Sequence, residues 1–308
     1  MLTNKLNLPI EVFNALSKNR YSADSEESGK VTDFSVTTII SPIQQTILKR
    51  RHPDCNTEDV VDRVWSLFGH IAHFLLEEHG TEDSITEKRF YAEILGAIIS
   101  GQVDHYKDRI ITDYKTTSVY KIQKQSFDEW EQQLNMYAFL ARRSGFDVDR
   151  IRIIAIIRDW QQSKVGTAGY PEAPIVEIDL NLWPYDMAER FVTNRVRLLI
   201  NNSKIENKNL LLCSKEDMWM DASKFAVMKS GNTKATKLFD SEKEAQEYIV
   251  DTLKSDEKTY TVVERTAEPR RCLGYCPVSS VCVQHKTYLE GVENGKKVTG
   301  QGFASLTN

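Results

Sequence analysis

Two aspartates and a lysine stand close together in a largely apolar stretch, Gly101-Gln-Val-Asp104 followed by Ile111-Thr-Asp113-Tyr-Lys115. The residues around them are rich in Ile, Val and Tyr, which reads as strand. Lys107-Asp108 between the two segments reads as a hairpin turn. With the turn there, Tyr106 opposes Arg109 and Asp104 opposes Ile111, so Asp113 becomes a diagonal neighbour of Asp104 on one sheet face. Lys115 shares that face, because strand side chains alternate with period 2. Two carboxylates gathered at the edge of an apolar core are costly unless a cation joins them. A hard divalent ion, Mg²⁺ or Mn²⁺, takes oxygen ligands and retains waters. It can bind a phosphodiester oxygen, lower the pKa of a bound water and stabilise developing negative charge. A neighbouring lysine can orient that water and offset charge in the transition state. Those are the requirements of phosphodiester hydrolysis. Taken alone, Asp-x-Lys is a common pattern that also describes a solvated surface hairpin.

The elements that must hold these groups follow from periodicity. From Glu58 to about Glu78 the apolar residues Val61, Val64, Trp65, Phe68, Ala72, Leu75 and Leu76 keep helical spacing, and Gly80 is placed to end the helix. Arg89 to Tyr106 and Arg109 to Lys115 read as strands. Ser126-x-x-Glu129 has the form of a capping box before a helix running to about Arg143, whose stripe is Trp130, Leu134, Tyr137 and Ala141. Strands at Ile151–Ile157 and Ile175–Leu180 and a helix from Trp183 to Ile200 complete an α/β core over residues 1–202, with a short helix within Asn7–Asn19 and a polar loop from Tyr21 to Thr32 at its start. Residues 203–295 form a more polar extension with a strand near Phe225–Met228 and a helix near Ser241–Leu253. Residues 296–308 read as a flexible tail.

Three of the five cysteines fall within this extension's last part, Cys272-x-x-x-Cys276-x5-Cys282. Three thiolates need a fourth ligand to make a tetrahedral zinc site or to hold a [4Fe–4S] cluster. The candidates are Cys213, Cys55 and His285, and unligated cysteines in a polar segment are the plain alternative.

Four ordered segments resemble the motifs of RecB-type PD-(D/E)XK nucleases: Gly69-His-Ile-Ala-His73, Gly101-x-x-Asp104, Asp113-Tyr-Lys115-Thr and Gln133-Leu-Asn-Met-Tyr137. That family includes the nuclease domains of bacterial recombination exonucleases, CRISPR-associated exonucleases and phage-encoded relatives, and the match covers about Thr37 to Trp160. The resemblance implies a restriction-endonuclease-like fold, a central mixed sheet flanked by helices, and metal-dependent DNA exonuclease activity. It implies His73, Asp104 and Asp113 as metal ligands, Lys115 as the catalytic lysine, Gln133 and Tyr137 as positioning residues one helical turn apart, and Glu93 as a further acidic member. The family's first motif is not clean here: Ser41-Pro42 and Lys49-Arg50-Arg51 occupy its neighbourhood, where a basic run is either a solvated face or a phosphate contact. His70 and His79 belong to no motif. The resemblance also favours a [4Fe–4S] cluster over zinc and, through the phage-type relatives, Cys213 as the fourth ligand; the recombination and CRISPR-associated members point instead to Cys55.

A net charge of −4 is only mild evidence against a nucleic-acid enzyme, since a local basic groove and bound cations suffice. No run of 18 apolar residues exists and residues 1–10 have no apolar signal core, so the expectation is a cytoplasmic protein away from membranes. No Walker A pattern occurs, so any DNA unwinding must come from a helicase or recombination partner. A non-catalytic DNA-binding or assembly module and a resolvase-like, structure-specific endonuclease are the competing functions.

Overall fold

A computed structural model of the chain describes residues 2–17, 31–55, 58–78, 83–255 and 259–293. His79, Gly80, most of the 21–32 segment and the 296–308 tail lie outside the described residues. The chain divides into two compact units, Met1–Thr46 with Thr57–Lys204 and Ile47–Asn56 with Ile205–Asn308.

The first unit opens with a two-residue strand β1 (Leu2–Thr3), helix α1 (Ile10–Ser17), strand β2 (Phe34–Ser35) and helix α2 (Val36–Ile40). Strand β3 (Glu58–Asp59) pairs with β1. Helix α3 (Val64–Glu78) precedes strands β4 (Ile85–Ile94), β5 (Ala97–Lys107) and β6 (Ile110–Thr117). Helices α4 (Val119–Lys124) and α5 (Asp128–Arg143), strands β7 (Arg150–Ile157) and β8 (Ile175–Leu180), and helix α6 (Tyr185–Asn202) complete it. The expected fold class is present: a six-stranded sheet runs β2-β5-β6-β7-β8, with β4 also paired to β5. It is mixed, since β2–β5 and β6–β7 are parallel while β4–β5, β5–β6 and β7–β8 are antiparallel. Helix α5 packs across β4, β5, β6 and β7. Its residues Leu134, Phe139, Leu140 and Ala141 are wholly buried, and each large side chain there contributes about 1.5–3 kcal/mol relative to exposure.

The long strand β5 decides where the site lies. Along one edge it carries β4 for nearly its whole length. Along the other it pairs with β2 at Ile99–Ser100 and with β6 only from His105 to Lys107. Residues 101–104 fall between those two pairings, so the sheet opens there into a notch, and Gly101 and Asp104 line it.

The structure corrects three local expectations. Residues 89–106 are not one strand: Leu95 and Gly96, at φ 52° and 77°, turn the chain into a hairpin. Both residues have the left-handed backbone of a tight two-residue turn, but only Gly96 signals it. The β5–β6 turn is Asp108-Arg109, at φ 51° and 63°, one residue later than Lys107-Asp108. Finally, α5 starts at Asp128 after Phe127, with no side-chain cap from Ser126; burial of the apolar stripe holds the helix without it.

In the second unit, β9 (Lys224–Lys229), β10 (Ala235–Phe239) and β11 (Tyr260–Arg265) form an antiparallel sheet in the order β10-β9-β11. Helix α7 (Glu242–Glu247), extended by a π-helical turn Tyr248–Thr252, covers it over Val227, Ala245 and Ile249. Here a capping box does form: Ser241 Oγ accepts from the Glu244 amide and Glu244 Oε2 from the Ser241 amide. Short helix α8 (Arg270–Gly274) and helix α9 (Val283–Glu293) follow. Arg51 also lies in this unit and donates to Asn207 Oδ1 at 2.7 Å, a structural engagement for one member of the basic run.

Candidate metal centre

The register of the sheet aligns three acids. The β4–β5 pairing sets Thr86 opposite His105 and Lys88 opposite Val103, so Glu87 lies across from Asp104. The β5–β6 pairing sets His105 opposite Thr112, and its continuation by one residue sets Asp104 opposite Asp113. With the turn at Asp108-Arg109, Asp113 is therefore a direct rather than a diagonal neighbour of Asp104. No β5–β6 ladder bond is made at this point. Instead Asp104 Oδ2 accepts the Tyr114 amide at 2.9 Å, its carboxylate standing where the ladder stops.

His73 comes in from α3. Its Nε2 lies 3.0 Å from the carbonyl oxygen of Tyr114. A carbonyl only accepts, so Nε2 carries the hydrogen, and the neutral ring keeps a lone pair on Nδ1. That Nδ1 faces Asp104 Oδ2 at 3.6 Å and Glu87 Oε1 at 3.8 Å. Among the described residues, His73, Glu87 and Asp104 are the one group of three or more His, Cys, Asp or Glu side chains whose ligand atoms all lie within 4.8 Å of one another.

Asp113 is 1 % exposed. Its Oδ1 accepts from Gln133 Nε2 at 3.3 Å, and Gln133 Nε2 is also 2.8 Å from Tyr137 Oη, which accepts from it. Lys115 Nζ stands 2.8 Å from Asp113 Oδ2. That contact is an ion pair off the hydrogen-bonding direction, for Oδ2 has no hydrogen-bond partner among the described residues. Ion-paired but not hydrogen-bonded, that oxygen has room for a further cationic partner. The site residues thus fit a divalent ion. Once Asp104 and His73 have given up their protons, Glu87, Asp104 and Asp113 set three negative charges against the one ammonium of Lys115, an excess that a divalent cation complements.

The electrostatics carry the same imprint. Burial, and then the charge of Asp113, push the Asp104 carboxyl up to about 7 against the opposing pull of His73 and Lys115. Burial alone would lower His73, but Glu87, Asp104, the Tyr114 carbonyl and Asp113 outweigh it and raise the imidazole to about 8. Without a cation, this centre takes up protons to relieve the repulsion of its carboxylates.

Six of the residues singled out in the sequence meet here: His73, Asp104, Asp113, Lys115, Gln133 and Tyr137. Glu93 does not. It is exposed near the far end of β4, opposite Ile98, and at about 3.3 Å per residue it is some 20 Å along the strand from Glu87. Nor does the closest donor trio contain Asp113 as expected; Glu87 takes that place. The signal for Glu87 was Gly96: a turn at that point puts Glu87 across from Asp104.

Within the second unit, none of the five cysteines is in a disulfide. Gln284, just after Cys282 on α9, clamps Cys213 from both sides: the Cys213 amide donates to Gln284 Oε1 at 2.9 Å, and Gln284 Nε2 donates to the Cys213 carbonyl at 3.0 Å. Burial first, then Asp217 and the neighbouring Cys282, Cys272 and Cys276, push the Cys213 thiol far up. Burial and the nearby Cys276 and Cys282 raise Cys272 to about 11.

Fold and centre define an α/β protein whose mixed sheet gathers acids, a histidine and a lysine around one notch. No family model matches the chain, and no curated protein matches its sequence. Solved structures similar to it include that of SSO0001, at 17% identity and TM-score 0.42 over 64% of this chain and 86% of that one. A candidate exonuclease from Eubacterium rectale matches at 14% identity and TM-score 0.32, over 54% of this chain and 68% of its own. A phage-related exonuclease from Haemophilus somnus 129PT matches at 14% identity and TM-score 0.32, over 60% and 87%. Among the described residues no helix is long and apolar enough to cross a membrane.

Proposed function

We propose that this chain is a divalent-cation-dependent nuclease that hydrolyses phosphodiester bonds of DNA, working as an exonuclease on ends or single strands. The observation that carries the reading is Asp113: a buried carboxylate, held by Gln133 and faced by Lys115, with one oxygen lacking a hydrogen-bond partner among the described residues. His73, Asp104 and Asp113 would hold Mg²⁺ or Mn²⁺, which when bound supplies Lewis-acid polarisation of a phosphate oxygen and of water. Lys115 stands beside Asp113 with an ammonium able to orient the attacking water and to offset the charge that builds on phosphorus-bound oxygens. The water oxygen bonds to phosphorus, the bond to the departing sugar oxygen breaks, and the proton passes to that oxygen. Gln133, itself bonded to Tyr137, keeps Asp113 aimed. The preference for DNA and for ends rests on the resemblance of the four motifs.

The second unit's cysteines would hold a [4Fe–4S] cluster through Cys213, Cys272, Cys276 and Cys282, stapling the C-terminal segment to α9 and its surroundings. Zinc is the alternative, since thiolates suit both metals. A helicase or recombination partner would supply the strand separation for which this sequence has no motor motif.

The test is digestion of end-labelled single- and double-stranded DNA and of circular single-stranded DNA with Mg²⁺, Mn²⁺ or EDTA. Release of mononucleotides or short products from linear DNA, abolished by EDTA, is expected. Cleavage of the circle would mark an endonuclease instead, and binding without cleavage under every metal condition would mark a non-catalytic module.

A further inference from the structure

We propose that Glu87 is a ligand of the cation at this centre, presented from β4 across the notch from Asp113. The inference rests on the cation-dependent reading above and adds a residue that none of the four motifs contains.

Glu87 sits in the middle of a strand yet has φ 49°. A glutamate adopts this left-handed backbone only at a cost, and such outliers cluster where a side chain must be aimed. The pairing on either side keeps its register, Thr86 to His105 and Lys88 to Val103. The distortion is therefore confined to the residue opposite Asp104.

The side chain is then held. Gln102 Nε2 donates to Glu87 Oε2 at 2.6 Å and to the Glu87 carbonyl at 3.2 Å. Gln102 is in turn fixed by Arg89, whose Nη2 donates to Gln102 Oε1 at 2.7 Å. The clamp engages Oε2 and leaves Oε1 facing His73 Nδ1 at 3.8 Å. That distance is too long for a hydrogen bond but suits two donors flanking a common ion. On β6, the next strand after Asp104, the buried Oδ2 of Asp113 is ion-paired with Lys115 Nζ at 2.8 Å but has no hydrogen-bond partner among the described residues. A simple ion pair between Glu87 and His73 does not explain the strained backbone. A cation drawing on His73, Glu87 and Asp104, with Asp113 beside them, explains why Glu87 is held in this conformation.

The experiment is titration of the full chain with Mn²⁺, followed by loss of the free-ion electron paramagnetic resonance signal, with no DNA present. Glu87→Gln should raise the Mn²⁺ Kd at least tenfold, and Glu93→Gln should leave it unchanged. Glu87→Gly, which relieves the left-handed backbone, should melt at or above the wild-type temperature without cation while binding Mn²⁺ at least tenfold more weakly. A purely structural Glu87 would give the reverse pair, lower melting with unchanged Mn²⁺ affinity, and would overturn the assignment. Wild-type Mn²⁺ affinity in Glu87→Gln would overturn it equally. Asp104→Asn separates the two levels. If it binds Mn²⁺ as wild type does, the cation centre itself is misplaced; if it loses Mn²⁺ while Glu87→Gln keeps it, only the role of Glu87 falls.

Discussion

Tyr137 packs so closely on Gly101 that a β carbon at that glycine would lie 2.7 Å from Tyr137 Cδ1, and 2.8 Å from Val36 Cγ2 as well. Tyr137 Oη accepts from Gln133, and Gln133 bonds Asp113. The missing side chain at 101 is thus what lets α5 come down on β5 far enough for Gln133 to reach the carboxylate on β6. Gly101→Ala should displace Tyr137 and lower stability by about 1–3 kcal/mol, the usual range for overpacking. Thermal melting would register the loss. Nuclease rate should fall further than stability alone accounts for, because Gln133 is no longer aimed.

Asp113→Ala and Lys115→Ala should each reduce cleavage on the order of 10²-fold or more, as for removal of a strong electrostatic contributor. The fold should survive, since both groups serve the notch rather than the apolar core. Either variant cleaving at a near wild-type rate with Mg²⁺ or Mn²⁺ would show the site to be elsewhere.

Cation affinity should depend on pH with a definite sign. Asp104 is raised to about 7 and His73 to about 8, so below these values each must lose a proton before it can bind metal. Mn²⁺ affinity should therefore climb from pH 6 and level off above about pH 8. The climb should be on the order of tenfold per pH unit for each proton displaced. Calorimetry in two buffers of different ionisation enthalpy would count those protons; a pH-independent Kd would contradict the arrangement.

Anaerobically purified protein should be brown, with a broad absorption near ~400 nm of the kind thiolate-ligated iron–sulfur centres give. Cys213→Ala and Cys282→Ala should bleach it and lower thermal stability, while Cys55→Ala should do neither. Gln284→Ala should weaken the absorption by releasing Cys213 from α9. One zinc per chain in a colourless protein would establish the alternative metal.

Much of the molecule was legible in advance where a local pattern had one physical solution. The stripe Trp130, Leu134, Tyr137 and Ala141 had to face a core, and all four are buried. The apolar run at Ile151–Ile157 had to be a strand, and it is β7, which the sheet pairs on both edges. The extension was less legible: β10 and β11 are mostly polar on their outer faces, so strand periodicity was faint, and only β9 showed its apolar run.

Within the centre, period-2 alternation sufficed to place Asp113 and Lys115 on one face of β6, and that much follows from residue order alone. Which acids meet across strands depends on register, and register hangs on turns that one residue can shift. The turn at Leu95-Gly96 brings Glu87 opposite Asp104 and sends Glu93 away, and the turn at Asp108-Arg109 makes Asp113 a direct neighbour. The tautomer of His73 depends on the Tyr114 carbonyl, 41 residues distant in the chain. Chain order determined the chemistry available to this protein, because side-chain type and local periodicity are written residue by residue. Which groups meet at one notch was decided by tertiary structure alone, because bringing distant strands and helices together is a property of packing that no local stretch encodes.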